Sequence, residues 1–312
     1  MQQFISIILD SGRAGLDMAL YILLPIMVVM LAFMKLLEAK GILAWISNRL
    51  APVSHFFGIP GLGIFAMIKI LFVSFAAPIP TLVLMDTGRT TRRHIAATLA
   101  MVMTMAQANA SFPLTAVGLN LGVSLITSLL AGLCAAAFTY YVLCRHFKAE
   151  DDIECALEET FPEVKKKSVM QILSDGGQEG LKIVINMIPV LILALFLVNV
   201  LKATGSITLL TAALAPALEL IGLPEITVLP IVTKFIAGGT AFTGVTIDLM
   251  NQGLITPQEL NRMAGFTLNP FDIAGVALFA SIGKRISGVV RYSVYGAFFG
   301  LFLKGLMHCV IF

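Results

Sequence analysis

Residues 25–60 read PIMVVMLAFMKLLEAKGILAWISNRLAPVSHFFGIP, and residues 189–224 read PVLILALFLVNVLKATGSITLLTAALAPALELIGLP. Aligned without a gap, these 36-residue stretches agree at ten positions. Leucine and alanine matches come easily in an apolar alphabet. The matches Pro25/Pro189, Gly41/Gly205, Pro52/Pro216, Gly58/Gly222 and Pro60/Pro224 do not, because glycine and proline set backbone geometry. After a one-residue slip the register continues through Lys69/Lys234, Met85/Met250, Gly88/Gly253, Thr91/Thr256 and Gly118/Gly283. A repeat of this size in a membrane chain is the usual trace of a secondary transporter whose site lies at the repeat interface.

The composition places the chain in a membrane. Hydrophobic residues make up 58% of its 312 residues, charged residues 12%, and the mean hydropathy is +0.94. A soluble domain typically carries about 25% charge. Segments 16–37, 94–110, 119–144, 182–201, 263–281 and 289–312 each approach the roughly 17–25 apolar residues that cross a bilayer. The first is too long for a signal peptide and ends in no small-residue cleavage site. A net charge of +3 gives no electrostatic footprint for nucleic acid. Cys134, Cys144, Cys155 and Cys309 lack metal or disulfide spacing, so neither a metal nor another cofactor is expected.

One stretch is aqueous. Residues 146–180 hold Asp151, Asp152, Glu154, Glu158, Glu159, Glu163 and the run Lys165–Lys167, the pattern of a solvated linker. The chain therefore divides into a first repeat (1–145), a cytoplasmic charged linker (146–180) and a second repeat (181–312). Each repeat contains a long span, an amphipathic stretch, an apolar segment broken by Gly or Pro, and two further spans. Trp45 beside Arg49 suits a membrane–water boundary. The broken segments are 60–86, interrupted by Ala76-Ala77-Pro78-Ile79-Pro80, and 224–250, interrupted by Ala237-Gly238-Gly239-Thr240. Broken backbone survives at membrane depth only where protein packs it or a cavity adjoins it.

Basic residues decide whether those segments cross. If both cross, the halves are parallel and Lys plus Arg divide 12 inside to 7 outside. If both re-enter, the halves are inverted and the division becomes 15 to 4, with Arg13, Lys202, Arg262 and Lys304 outside. Cytoplasmic loops are enriched in Lys and Arg, which favours the inverted arrangement. The expected fold is all-α and polytopic. It has two inverted repeats, each of about three spans, an interfacial helix and a broken or re-entrant hairpin.

The two copies of Leu-Ala-Pro (50–52 and 214–216), with Gly-Ile-Pro (58–60) and Gly-Leu-Pro (222–224), resemble the nucleoside-recognition or Gate family. That family includes spore-maturation proteins A and B, and related gate regions occur in ferrous-iron permeases and concentrative nucleoside transporters. The resemblance covers nearly the whole chain outside the linker and implies an inverted-repeat, transporter-like core with hairpins. Neither broken segment contains a Cys, in contrast to the gate cysteines of the iron permeases.

Polar residues at membrane depth carry the chemistry. Lys69 and Lys234 are symmetry mates, too deep for easy snorkelling, so each needs a partner, a wet cavity or an anionic ligand. Gln107, Asn109 and Ser111 precede Pro113 in one span, and Asn269, Pro270 and Asp272 break its counterpart. Asp272 is the carboxylate expected to meet Lys234, and the first-half position matching it is Gln107. Lys69 is then left to meet a substrate anion. Ser74, Thr240 and Thr243 offer hydroxyls near the hairpin tips. Asp86 and Asp248, closer to segment ends, read as interfacial caps.

No HExxH, GxSxG or Walker lysine loop is present, so no enzyme is expected. The reading is a multi-pass carrier of the bacterial cytoplasmic (inner) membrane for a small polar, anionic or zwitterionic metabolite. Its substrate-binding residues would be Lys69, Ser74, Gln107, Asn109, Lys234, Thr240, Thr243, Asn269 and Asp272. Its partners are the lipid bilayer and a small-molecule substrate, with homo-oligomerisation left open. The competing class is a non-transporting membrane assembly or signalling component of spore-maturation type.

Overall fold

The structure, a computed structural model, describes residues 2–88, 90–147 and 168–312. The acidic run and Lys165–Lys167 of the expected linker lie outside the described residues, as do Cys155 and Arg89. The chain is all-α, with no strand among the described residues. Helices α1 (Gln2–Asp17) and α2 (Leu24–Ala39) join through a π-helical turn, Met18–Leu23, into one rod. There follow α3 (Ile42–His55), the pair α4 (Gly61–Phe72) and α5 (Ile79–Thr87), the pair α6 (Arg92–Thr104) and α7 (Ala108–Thr115), and α8 (Leu121–Phe138), extended by a π turn, Thr139–Leu143. The order then recurs: α9 (Val169–Ala203), α10 (Ser206–Glu219), α11 (Val228–Asn251), the pair α12 (Pro257–Thr267) and α13 (Ile273–Ala280), and α14 (Lys284–Ile311).

The matched glycines of the repeat sit at matched corners. Gly41 and Gly205 end α2 and α9 with φ of 72° and 69°, and Gly58 and Gly222 follow α3 and α10 with φ of 71° and 70°. An L side chain in that left-handed region is disfavoured by about 1–2 kcal/mol.

Symmetry-related helices run antiparallel. Asn199 Nδ2 donates to Ser11 Oγ (2.9 Å), and Lys35 pairs with Glu179 (3.1 Å), so α9 descends along the α1–α2 rod. A Cβ on Gly176 would fall 2.6 Å from Ala32 Cα, and one on Gly180 would fall 2.8 Å from Met27 O. Small residues let these two backbones touch, the usual way apolar helices associate in lipid. In α8 and α14, Phe138 stacks on Phe299 (4.5 Å between ring centroids), and Thr127 Oγ1 meets His308 Nε2 at 2.8 Å. The halves are therefore inverted.

The ends of the molecule show where each hairpin begins and returns. At one end Arg93 donates to Tyr140 O (3.2 Å), and Arg285 donates to Gly88 O (2.7 Å) and to Thr90 O. Gly58 lies against the Tyr140 ring, so the α4–α5 pair starts and finishes at this end. At the other end Asn120 N donates to Asn261 Oδ1 (2.8 Å), and Arg262 donates to Gly222 O (2.8 Å) just before α11. Gly253 closes α11 three residues before the N-cap of α12, Thr256, so α11 also returns to where it began. Its two arms bend at Gly238, where φ is 87° and ψ 179°. Both broken segments are re-entrant.

Six helical stretches among the described residues are long and apolar enough to cross a membrane. One of them, Glu225–Asn251, is this bent hairpin, and the split pair α12–α13 supplies the crossing in its half. Residues 169–180, within the linker expected from sequence, form the first turns of α9, where Gly176 and Gly180 pack against α2. Asp86 Oδ1 accepts from Ile286 N (2.7 Å) at the start of α14, a terminal role in keeping with its expected place near a segment end.

The arrangement gives a labelling result. In a cysteine-free background, Thr87→Cys and Ser281→Cys should react with an impermeant maleimide from one side of the membrane, and Gln252→Cys from the other. Charge asymmetry predicts that the Thr87 side is the cytoplasmic one. Labelling of Thr87→Cys and Gln252→Cys from the same side would reject the inverted fold.

Candidate functional site

Two spans are broken, one in each half, and residues of both breaks border one cavity. Between α6 and α7 the chain leaves the helix at Met105, and Ser128 Oγ accepts from the buried Ala106 N at 3.1 Å. Between α12 and α13 the break runs from Leu268 to Asp272, and Pro270 contributes no N–H to rebuild it. Each second half-helix begins with a capping position at the break, Gln107 for α7 and Asp272 for α13.

The two caps differ in chemistry. Asp272 Oδ1 accepts from Gly275 N (2.7 Å), and its Oδ2 takes Lys234 Nζ at 2.5 Å. Both side chains are buried, so the pair is charge-matched out of water. Gln107 makes no cap hydrogen bond, and the first turn of α7 keeps its amides uncovered by a side chain. The α7 N-terminus is thus the more electropositive of the two.

The hairpin tips close on these caps. Phe75 N, in the first tip, donates to Asn109 Oδ1 at 3.1 Å. In the second tip a Cβ on Gly239 would fall 1.8 Å from Gln107 Nε2, and one on Gly238 would fall 3.7 Å from Asp272 Oδ2. At Gly239 only bare backbone fits. Between tips and caps lies a cavity of about 370 Å³. Its polar wall is Gln107, Asn109, Thr240 and Asp272, and Phe75, Val190, Pro270 and Leu278 supply apolar surface. Such a volume falls within the range of small-molecule sites. The Gln107 amide and the Thr240 hydroxyl face it with no hydrogen-bond partner among the described residues.

Of the nine expected site residues, Gln107, Asn109, Thr240 and Asp272 line this cavity. Lys234 stands behind Asp272 as its ion-pair partner. Lys69 does not line the cavity; its Nζ donates to Thr81 Oγ1 (3.2 Å), across the first hairpin. Thr243 turns back onto Gly239 O (2.9 Å) inside α11. Asn269 holds the break together, donating to Phe266 O (2.8 Å) and accepting from Phe271 N (3.0 Å). Ser74 is half-buried in the first tip without lining the cavity. Lys304, expected among the outer charges, is fully buried inside α14, with Nζ donating to Leu268 O at 2.7 Å.

No protein-family signature matches the chain. Spore maturation protein B of Bacillus subtilis (strain 168) is 32% identical over 87 residues, 28% of this chain. That match spans about half, 48%, of the length of that curated protein. Among solved structures, CNTnw in an inward-facing substrate-bound state aligns with a TM-score of 0.66 at 16% identity. The alignment covers 93% of this chain and 73% of CNTnw. A CNTnw variant in an outward-facing state gives 0.69 at 14% identity, covering 98% and 83%. The fold is that of these multi-pass membrane proteins.

Proposed function

We propose that the chain is a secondary carrier that binds a small anionic or zwitterionic metabolite in the cavity between the two hairpin tips. The observation that carries the reading is the unequal capping of α7 and α13. Asp272 places a carboxylate over the start of α13 with Lys234 behind it, while the start of α7 opens on the cavity beside a neutral Gln107. A ligand carboxylate or phosphate would do for α7 what Asp272 does for α13, since a helix N-terminus favours an anion. Lys69, symmetric to Lys234, is held by Thr81 inside the first hairpin and stands outside the cavity wall. The unpartnered Gln107 amide and Thr240 hydroxyl would hold the rest of a polar ligand. The fold shared with a protein known in inward- and outward-facing states supports movement of that ligand across the membrane. The inverted repeats, 1–145 and 181–312, would each contribute one hairpin and one broken span.

A thermal-shift screen of the purified chain against carboxylates, phosphates, zwitterions and uncharged metabolites tests this, because selective binding raises apparent stability. An anionic or zwitterionic hit should bind about tenfold more weakly, or worse, to Gln107→Ala or Thr240→Val, with each variant otherwise folded. A panel whose hits bind both variants as tightly as the parent would sink the site. A second reading follows from the similarity to Spore maturation protein B: a non-transporting membrane component. Proteoliposomes that bind the hit without accumulating it would favour that alternative.

A further inference from the structure

Lys304 lies outside the cavity, and the ligand site makes no use of it. It sits on α14, fully buried, and its ammonium donates to Leu268 O at 2.7 Å. Leu268 is the C-cap of α12, where a half-helix ends inside the protein. The neighbouring carbonyls have other donors: Asn269 Nδ2 bonds Phe266 O (2.8 Å), and Asn269 N bonds Thr267 O (3.0 Å). Leu268 O is left to the lysine.

The charges around Lys304 make this unusual. Among the described residues it forms no ion pair, and its hydrogen bond runs to a backbone carbonyl. Lys234 is already matched by Asp272. One turn along α14, His308 is held between Asn261 O (2.6 Å) and Thr127 Oγ1 (2.8 Å) and offers no anion. What faces the ammonium is the negative end of the α12 dipole and one freed carbonyl. In broken membrane helices that combination is where a soluble cation is coordinated.

We infer that Lys304 is a tethered cation: its ammonium fills a monovalent-cation site at the broken end of α12, so this half binds no metal ion there. The inference concerns cation occupancy of the fold and stands whether or not the chain is a carrier.

The test is cation rescue. Lys304→Ser removes the ammonium and leaves room for a small ion. Full-length protein in nanodiscs is unfolded thermally in choline, sodium and ethylammonium chloride at equal ionic strength. In choline the serine variant should melt about 5 °C or more below the parent. Sodium or ethylammonium should restore at least about half of that loss and shift the parent by less. An equal salt response in parent and variant overturns the inference. Failure of Lys304→Ser to fold in every salt counts against it too, because a refillable site would be rescued. Lys304→Gln keeps a donor for Leu268 O without charge. Parent-like melting of that variant in choline would show that a hydrogen bond suffices and would also overturn it.

Discussion

Replacing Asp272 with alanine should lower stability by about 3–5 kcal/mol, the range found when one partner of a buried ion pair is removed. Lys234 and Asp272 have side-chain exposures of 0% and 6%, so the ammonium left behind would lie buried without its counter-charge. The same substitution uncaps α13, a separate loss of about 0.5–2 kcal/mol. Lys234→Met in the Asp272→Ala background should recover most of the first loss and none of the second. Equilibrium unfolding of the two single variants and the double variant, taken as a cycle, separates the terms. A single Asp272→Ala change within about 1 kcal/mol of the parent would mean the pair is not closed as described.

Gly238→Ala is the second large effect, and its cause is backbone. With φ at 87° and ψ at 179°, this residue occupies a region open essentially to glycine alone. The new Cβ would meet Asp272 no closer than 3.7 Å, so crowding contributes little. The expected loss is about 1–3 kcal/mol from strain. Binding in the cavity should weaken with it, because the tip carries Gly239 and Thr240 into the cavity wall. Gly12→Ala is the control of opposite sign. Gly12 sits inside α1 with open space around its Cα, so alanine there should stabilise by about 0.5–1 kcal/mol. Equal unfolding midpoints for both variants would remove the strain argument.

The architecture was largely legible before any coordinates. Gly41/Gly205, Gly58/Gly222 and the matched prolines marked the repeat, and Lys35, Lys40, Arg49, Lys284, Arg285 and Arg291 favoured inversion. Broken backbone marked both hairpin segments without deciding whether they cross, and charge pointed to the Lys234–Asp272 pair. Other features left no signal. Phe75, Val190 and Leu278 line the cavity, yet in an apolar chain they look like every other phenylalanine, valine and leucine. Lys304 lies close to the C-terminal end, where hydropathy cannot separate a charge past the span from one inside it. Only the packing of α12 against α14 places it within the protein. Lys69 was read as facing a ligand, but intrahairpin geometry offered it Thr81 first.

The left-handed corners also bear on how such a chain can drift. At Gly41, Gly58, Gly205 and Gly222 the requirement falls on the main chain, so no compensating change in a neighbouring side chain can relieve it. Lipid-facing positions between them ask only for an apolar residue and can interchange at little cost. Two copies that once matched throughout would lose their leucines and valines to such exchange long before losing these corners. What survives is a sparse skeleton of glycine and proline, a small fraction of the residues holding most of the information about the fold. Search methods that weight all positions alike would see little in that skeleton, while the three-dimensional path it dictates persists.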